Sequence, residues 1–110
     1  MAGDYRIDIS ETADLEADAI FLFKQRYSAR AALRWYDGFV KACDTLSYFP
    51  YRYPVSPRNP HLRCLLYGRF RVLYRIVEPV DVENEGVVRI LHIYHGTRDR
   101  AEIERLPESD

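Results

Sequence analysis

The sequence predicts an α+β fold in the order β-α-α-β-β-β, with an N-terminal helical hairpin packed on one face of a small, mostly antiparallel sheet. Three observations predict it. Tyr5-Arg6-Ile7-Asp8-Ile9 alternates apolar and polar residues, the period of a half-buried strand. Residues 11–48 then carry two runs of apolar positions at helical spacing with almost no linker between them, which makes an antiparallel αα-hairpin. Residues 62–94 finally hold three short apolar segments separated by turn-forming residues.

Each element has its own signal. Ser10 stands as a helix N-cap ahead of Glu11, Asp14, Glu16 and Asp18, and Lys24 and Arg26 sit at the far end; both placements suit the helix dipole. Ala13, Ala17, Ile20, Phe23 and Tyr27 recur at helical spacing and predict a helix over about residues 11–26. Ser28 caps the second helix. Ala32, Trp35, Tyr36, Phe39, Cys43 and Leu46 follow an i, i+3, i+4 pattern through to Tyr48, and Pro50 ends it. Gly38 inside this helix costs about 1 kcal/mol relative to Ala, and it leaves room for a close helix–helix approach.

Residues 50–61, PYRYPVSPRNPH, hold four prolines and form an irregular connector, too poor in donors for a central strand. Leu62–Tyr67 is a short strand, and Gly68-Arg69 makes a two-residue turn with Gly in the first central position. In the next strand, Phe70–Val77, the set Phe70, Val72, Tyr74 and Ile76 should face the helices, which turns Arg71 and Arg75 to the opposite side of the sheet. Residues 78–86 are an acidic turn region. Val87–Tyr94 is apolar on both parities apart from Arg89 and His92, as a strand inside the sheet would be. The polar tail holds one short helix around residues 101–106.

A chain of 110 residues with 47% hydrophobic positions makes one domain, expected over residues 1–110 with an ordered core over about 4–106, and excludes a disordered chain. No apolar run approaches the ~20 residues that span a bilayer. The N-terminus MAGDYRIDIS lacks the layout of a secretory signal, so a cytoplasmic protein without membrane association is expected. Cys43 and Cys64 fit no metal spacing and read as buried thiols. The net charge of −1 conceals an asymmetry: residues 51–77 hold six arginines and no acid, while both flanks are net acidic. A free nucleic-acid binder usually has a basic total, so this balance weighs against unaided RNA or DNA binding and leaves room for an acidic partner. Arginine outnumbers lysine 14 to 2, a preference that suits phosphate and carboxylate recognition and that a compositional bias explains equally well.

The chemistry narrows by elimination. H-E-x-x-H, G-x-x-x-x-G-K, G-x-G-x-x-G and G-x-S-x-G are all missing, so neither a metal nor a cofactor is expected. What remains is a set of cationic and imidazole groups around the last two strands: Arg63, Arg71, Arg75, Arg89, His92, His95, Arg98 and Arg100. Metal-free RNA cleavage needs only a base, an acid and a cation to stabilise the charged phosphorane. Arg71 and Arg75 read either as phosphate or partner contacts or as a solvated sheet face. His95 reads either as a site residue or as a local cap of the following turn, and Arg98 either as a catalyst or as a turn anchor paired with Asp99. His92, mid-strand among apolar neighbours, reads as a satisfied core imidazole. Tyr48, Phe49, Tyr51 and Tyr53 read as cover for the core edge ahead of a protein-binding surface.

Tyr5-Arg6-Ile7-Asp8-Ile9-Ser10 before a helical hairpin, then Arg71-Val72-Leu73-Tyr74-Arg75-Ile76, then Val88-Arg89-Ile90-Leu91-His92-Ile93-Tyr94-His95-Gly96-Thr97-Arg98-Asp99 resembles the RelE/ParE superfamily of bacterial toxins. The resemblance covers about residues 4–106. It implies a curved sheet backed by the helical hairpin, and the toxin half of a type II toxin–antitoxin (plasmid stabilisation) module. A cognate antitoxin would wrap around the toxin in a hetero-oligomer, laying a helix or strand over the hairpin and sheet edge and meeting segment 51–77 with an acidic tail.

The superfamily divides by mechanism. RelE-like members cleave mRNA on the ribosome; ParE-like members poison DNA gyrase and are not known as nucleases. The resemblance to RelE-like members matches Arg71 and Arg98 to their arginines. Arg63 and Leu65 stand where lysines are expected, and Glu104 where a tyrosine is. These departures, the H-G-x-R-D ending and the near-neutral charge favour the ParE-like branch, with gyrase inhibition and no enzymatic activity. The alternative is a ribosome-dependent endoribonuclease using Arg71, His95 and Arg98, and a third reading is a non-toxic relative that only binds antitoxin. Arg63 and Arg75 are the candidates for partner contacts.

Overall fold

The computed structural model describes residues 4–81, 83–98 and 103–104. Strand β1 (Tyr5–Ile9) leads into helix α1 (Glu11–Gln25) and helix α2 (Ala29–Asp44), then strands β2 (Arg63–Tyr67), β3 (Phe70–Val77) and β4 (Gly86–His95). The sheet order is β1-β4-β3-β2, with β1 parallel to β4 and the other pairs antiparallel. The predicted α+β order is therefore the observed one.

Ser10 does two jobs at the first junction. Its amide extends the strand by donating to Ile90 O at 2.9 Å, while its Oγ accepts from Ala13 N at 3.1 Å and donates to Leu91 O at 3.1 Å. The side chain of Ser28 caps α2 in the same way, accepting from Ala31 N at 3.1 Å. Helical periodicity does not run unbroken to Tyr48. Thr45–Ser47 tightens into a 3₁₀ turn, with Thr45 Oγ1 donating back to Ala42 O at 2.6 Å ahead of Pro50.

The inward stripe of α1 also differs from expectation. Ala13 and Ala17 are buried, but Phe23 and Tyr27 are 57% and 75% exposed; α1 ends at Gln25, so Tyr27 lies beyond it. Gly38 permits a close approach to the sheet rather than between helices. A Cβ there would collide with Tyr67 Oη, which donates to Trp35 O at 2.8 Å. The proline-rich connector is tied down by Tyr74 Oη donating to Pro50 O at 2.7 Å, by Ser56 N donating to Leu62 O at 2.7 Å and by a bridge between Val55 and Arg63.

The β2–β3 turn has the geometry its residues demand. Gly68 has φ +57° and no other described residue has positive φ, the pattern of a II′ hairpin. The strand parity of β3 is the predicted one: Val72 and Tyr74 are buried with Ala13, Ala17, Phe39 and Cys43, and Phe70 and Ile76 pack against that cluster.

The opposite face is not simply open. Leu62, Leu73, Leu91, Tyr94 and Ile103 form a second small core there. Beside it, pairing steps from Leu73↔His92 to Tyr74↔Ile90, so Leu91 is the extra residue on β4 and Ile90 and Ile93 both stay in the main core. Of the predicted C-terminal helix, residues 103–104 are helical and the remainder lies outside the described residues. Among the described residues, no helix is long and apolar enough to cross a membrane.

Candidate functional site

The end of the sheet that carries the β2–β3 turn gathers most of the predicted site residues. Gly96 N donates to Arg69 O at 2.9 Å and Arg98 N to His95 O at 3.0 Å, which fastens the turn after β4 onto the hairpin. Phe70 stands opposite His95 and Arg71 opposite Tyr94 in the register. Arg71 Nε lies 3.4 Å from where a Cβ on Gly96 would sit. Arg71, His95 and the exposed Arg98 thus lie at one end of the sheet, with His95 on the Phe70 side and Arg71 on the opposite face. The predicted Arg98–Asp99 pair lies outside the described residues, because Asp99 does.

His95 caps the turn. Its Nδ1 accepts from Thr97 N at 3.2 Å and meets Thr97 Oγ1 at 2.8 Å, and its ring stands edge-on to Phe70 at 5.5 Å. This pattern assigns the neutral proton to Nε2. To act as a base through Nε2, the ring would have to carry its proton on Nδ1, facing the Thr97 amide donor. The local structure opposes that role.

Arg63 and Arg75 do not join them. Arg63 donates to Tyr53 O at 2.5 Å and Tyr51 O at 3.3 Å, with its guanidinium 5.0 Å from the Tyr51 ring centroid. It clamps the connector. Arg75 lies four residues along β3 from Arg71, about 13 Å at strand rise, opposite Arg89, which pairs with Asp8 at 3.3 Å. His92 is buried at 4% exposure, with Nδ1 3.2 Å from a Glu16 carboxylate that also accepts Ile93 N at 3.1 Å; it fastens α1 to β4, as a satisfied core imidazole should. Burial pushes the Cys43 thiol up to about 12, with Asp44 adding to the effect, so it is no nucleophile at neutral pH.

Sequence reasoning missed two residues. Lys24 and Arg69, with Ala19, Ile20, Phe23, Phe70 and His95, line a cleft of about 440 Å³ between α1 and the hairpin turn. Their separation of 45 positions hid the pairing, and each already had a local explanation as a helix-end or a turn residue. The aromatic run also differs from expectation: Tyr53 packs on the core, but Tyr48, Phe49 and Tyr51 are each at least half exposed.

Over residues 7–100 the sequence matches the family described as ParE toxin of type II toxin-antitoxin system, parDE. The chain belongs to the ParE toxin family. The fold agrees: a solved chain from the chromosomal ParDE TA system from P. aeruginosa is similar at TM-score 0.65 and 19% identity, covering 83% of this chain and 95% of that one. No curated protein matches the sequence. As a ParE-family chain it is the toxin type of a type II toxin–antitoxin system, the class that the residues of β1, β3 and β4 resemble.

Proposed function

We propose that this chain arrests growth by inhibiting DNA gyrase in the cytoplasm, and that a cognate antitoxin neutralises it. The observation that carries this reading is the ParE family match across residues 7–100. Three features of the sheet support it over RNA cleavage. Leu65, standing where a nuclease lysine is expected, is buried in the main core. Arg63 is occupied with connector carbonyls. Ile103 fills part of the face on which Arg71 and Arg75 lie, where an RNA strand would need open space.

The test is a pair of assays on the purified protein: gyrase supercoiling, and translating ribosomes carrying a defined mRNA. The expected outcome is loss of supercoiling with intact mRNA. Cleavage of the mRNA with unimpaired supercoiling would overturn gyrase inhibition in favour of the nuclease reading. Growth arrest on expression, relieved by the neighbouring gene, excludes an inert antitoxin-binding relative.

A further inference from the structure

The flank of the molecule around Tyr5 carries two exposed features that match each other but do not meet within one chain. The first is a hollow of about 440 Å³ lined by Tyr48, Phe49, Pro50, Tyr51 and Arg52, with no acid among them. Its aromatic rings are half or more exposed, yet the backbone beneath them is fixed: Pro50 O accepts from Tyr74 Oη at 2.7 Å and Tyr51 O from Arg63 at 3.3 Å. The second is the turn between β3 and β4. Val80 in that turn is 90% exposed, more than any other large apolar side chain described, and it stands among Glu78, Asp81, Glu83 and Glu85. Asp81 Oδ1 shapes the turn by accepting from Glu83 N at 3.0 Å, Asn84 N at 3.1 Å and Asn84 Nδ2 at 2.9 Å.

Tyr5 joins the two features. Its phenol donates to the Glu78 carboxylate at 3.0 Å, and its ring packs edge-on to Tyr51 at 6.5 Å. Turn and hollow therefore lie on one flank, to either side of Tyr5. Among the described residues, neither Arg52 nor Glu83 forms an ion pair within the chain. An apolar hollow with a basic rim beside an apolar tip with acidic neighbours is a self-complementary surface, which is what a two-fold contact requires.

We propose that two copies of this chain associate about a two-fold axis beside Tyr5, each inserting Val80 into the other's Tyr48–Tyr51 hollow with Glu83 against Arg52. Charge sets the approach. Asp44 borders the adjoining hollow together with Lys41, whose ammonium already pairs with Asp37 at 3.1 Å. An acidic tip is repelled on that side and enters from the Arg52 side. The acids of the β3–β4 turn would likewise repel a phosphate backbone laid across the flank, which favours a protein occupant. Both halves are shaped in advance, so little ordering entropy opposes their contact. One tip in one hollow buries less than the roughly 800 Å² per partner of a stable dimer, and two-fold repetition doubles it, so association in the micromolar range is expected. The inference goes beyond the toxin reading and does not rest on it.

The test is sedimentation equilibrium of the purified full chain at concentrations up to about 300 µM, with the average mass expected to rise toward twice that of the chain. Val80→Asp, Arg52→Glu and Glu83→Arg, each shown by its melting curve to be folded, should weaken association about tenfold or more. Leu15→Ser, on exposed α1 surface outside both features, should leave it unchanged. The deciding measurement mixes Arg52→Glu with Glu83→Arg. In the mixed dimer the introduced carboxylate faces the introduced guanidinium at one contact while native Arg52 and Glu83 meet at the other, so association should return although neither variant associates alone. A wild type that stays monomeric, or a mixture that does not associate, overturns the inference and leaves the toxin reading standing. A dimer that Leu15→Ser weakens and the three flank variants do not would place the contact on the hairpin and overturn it as well. If the wild type is monomeric and the flank variants instead lose affinity for gyrase or for the adjacent gene's product, the flank belongs to that partner and the inference fails.

Discussion

Gly38 shows how one residue can be chosen by a neighbour far away in sequence. In an exposed helix, Gly→Ala gains about 1 kcal/mol. Here the added methyl would meet Tyr67 Oη, so Gly38→Ala is expected to destabilise the protein by about 1–3 kcal/mol through overpacking. Combining it with Tyr67→Phe, which removes the colliding oxygen, should recover part of that loss in a double-mutant cycle measured by urea unfolding. Simple additivity of the two changes would refute the collision. Ser10 is the converse case, legible from sequence as a cap but not as a strand anchor. Its bond to Leu91 O adds to the cap, so Ser10→Ala is expected to cost about 1–2 kcal/mol.

At the scale of elements, α2 and β3 bury groups that must stay protonated. Cys43 on α2 is pushed up to about 12 by burial, and burial raises the Tyr74 phenol on β3, with Arg63 opposing. Both groups hold their proton more tightly folded than unfolded. The Cys43 contribution is therefore complete below pH 9 and is lost as pH rises from about 9 toward 12, because the unfolded chain then releases a proton the folded chain retains, and the Tyr74 contribution starts to be lost only above about pH 10. Urea midpoints measured across this range should fall, and Cys43→Ala should flatten the first part of the decline. A midpoint independent of pH over that window would contradict the burial of Cys43. Tyr74→Phe should cost about 1 kcal/mol at neutral pH, since Pro50 O loses its donor.

The whole molecule is a sheet with two unequal cores. The main one lies under the helical hairpin, and the smaller one on the other face is closed by Ile103. Ile103→Ala is expected to destabilise by about 2–4 kcal/mol, measurable by thermal or urea unfolding. A change below half a kcal/mol would mean that the second core contributes little. Across that same face, Arg75 and Arg89 stand on neighbouring strands, and Asp8 on β1 supplies a counter-charge to Arg89 at 3.3 Å. This arrangement links the sheet edge to its centre by electrostatics as well as by pairing.

Local chemistry determined the elements: a serine before each helix, Gly68 at the only described positive φ, and the alternation along Phe70–Ile76 that put the aromatic side under the hairpin. Those signals act between residues a few positions apart, so sequence carries them whole. The family, too, was legible in β1, β3 and β4. What tertiary structure alone decided is where distant residues meet: Gly38 with Tyr67, Arg63 with the connector carbonyls, Lys24 with Arg69, and Leu91 with Ile103 in the second core. Strand register and the crossing of α1 over β4 set those meetings, and both depend on packing the whole chain at once rather than on any window of it.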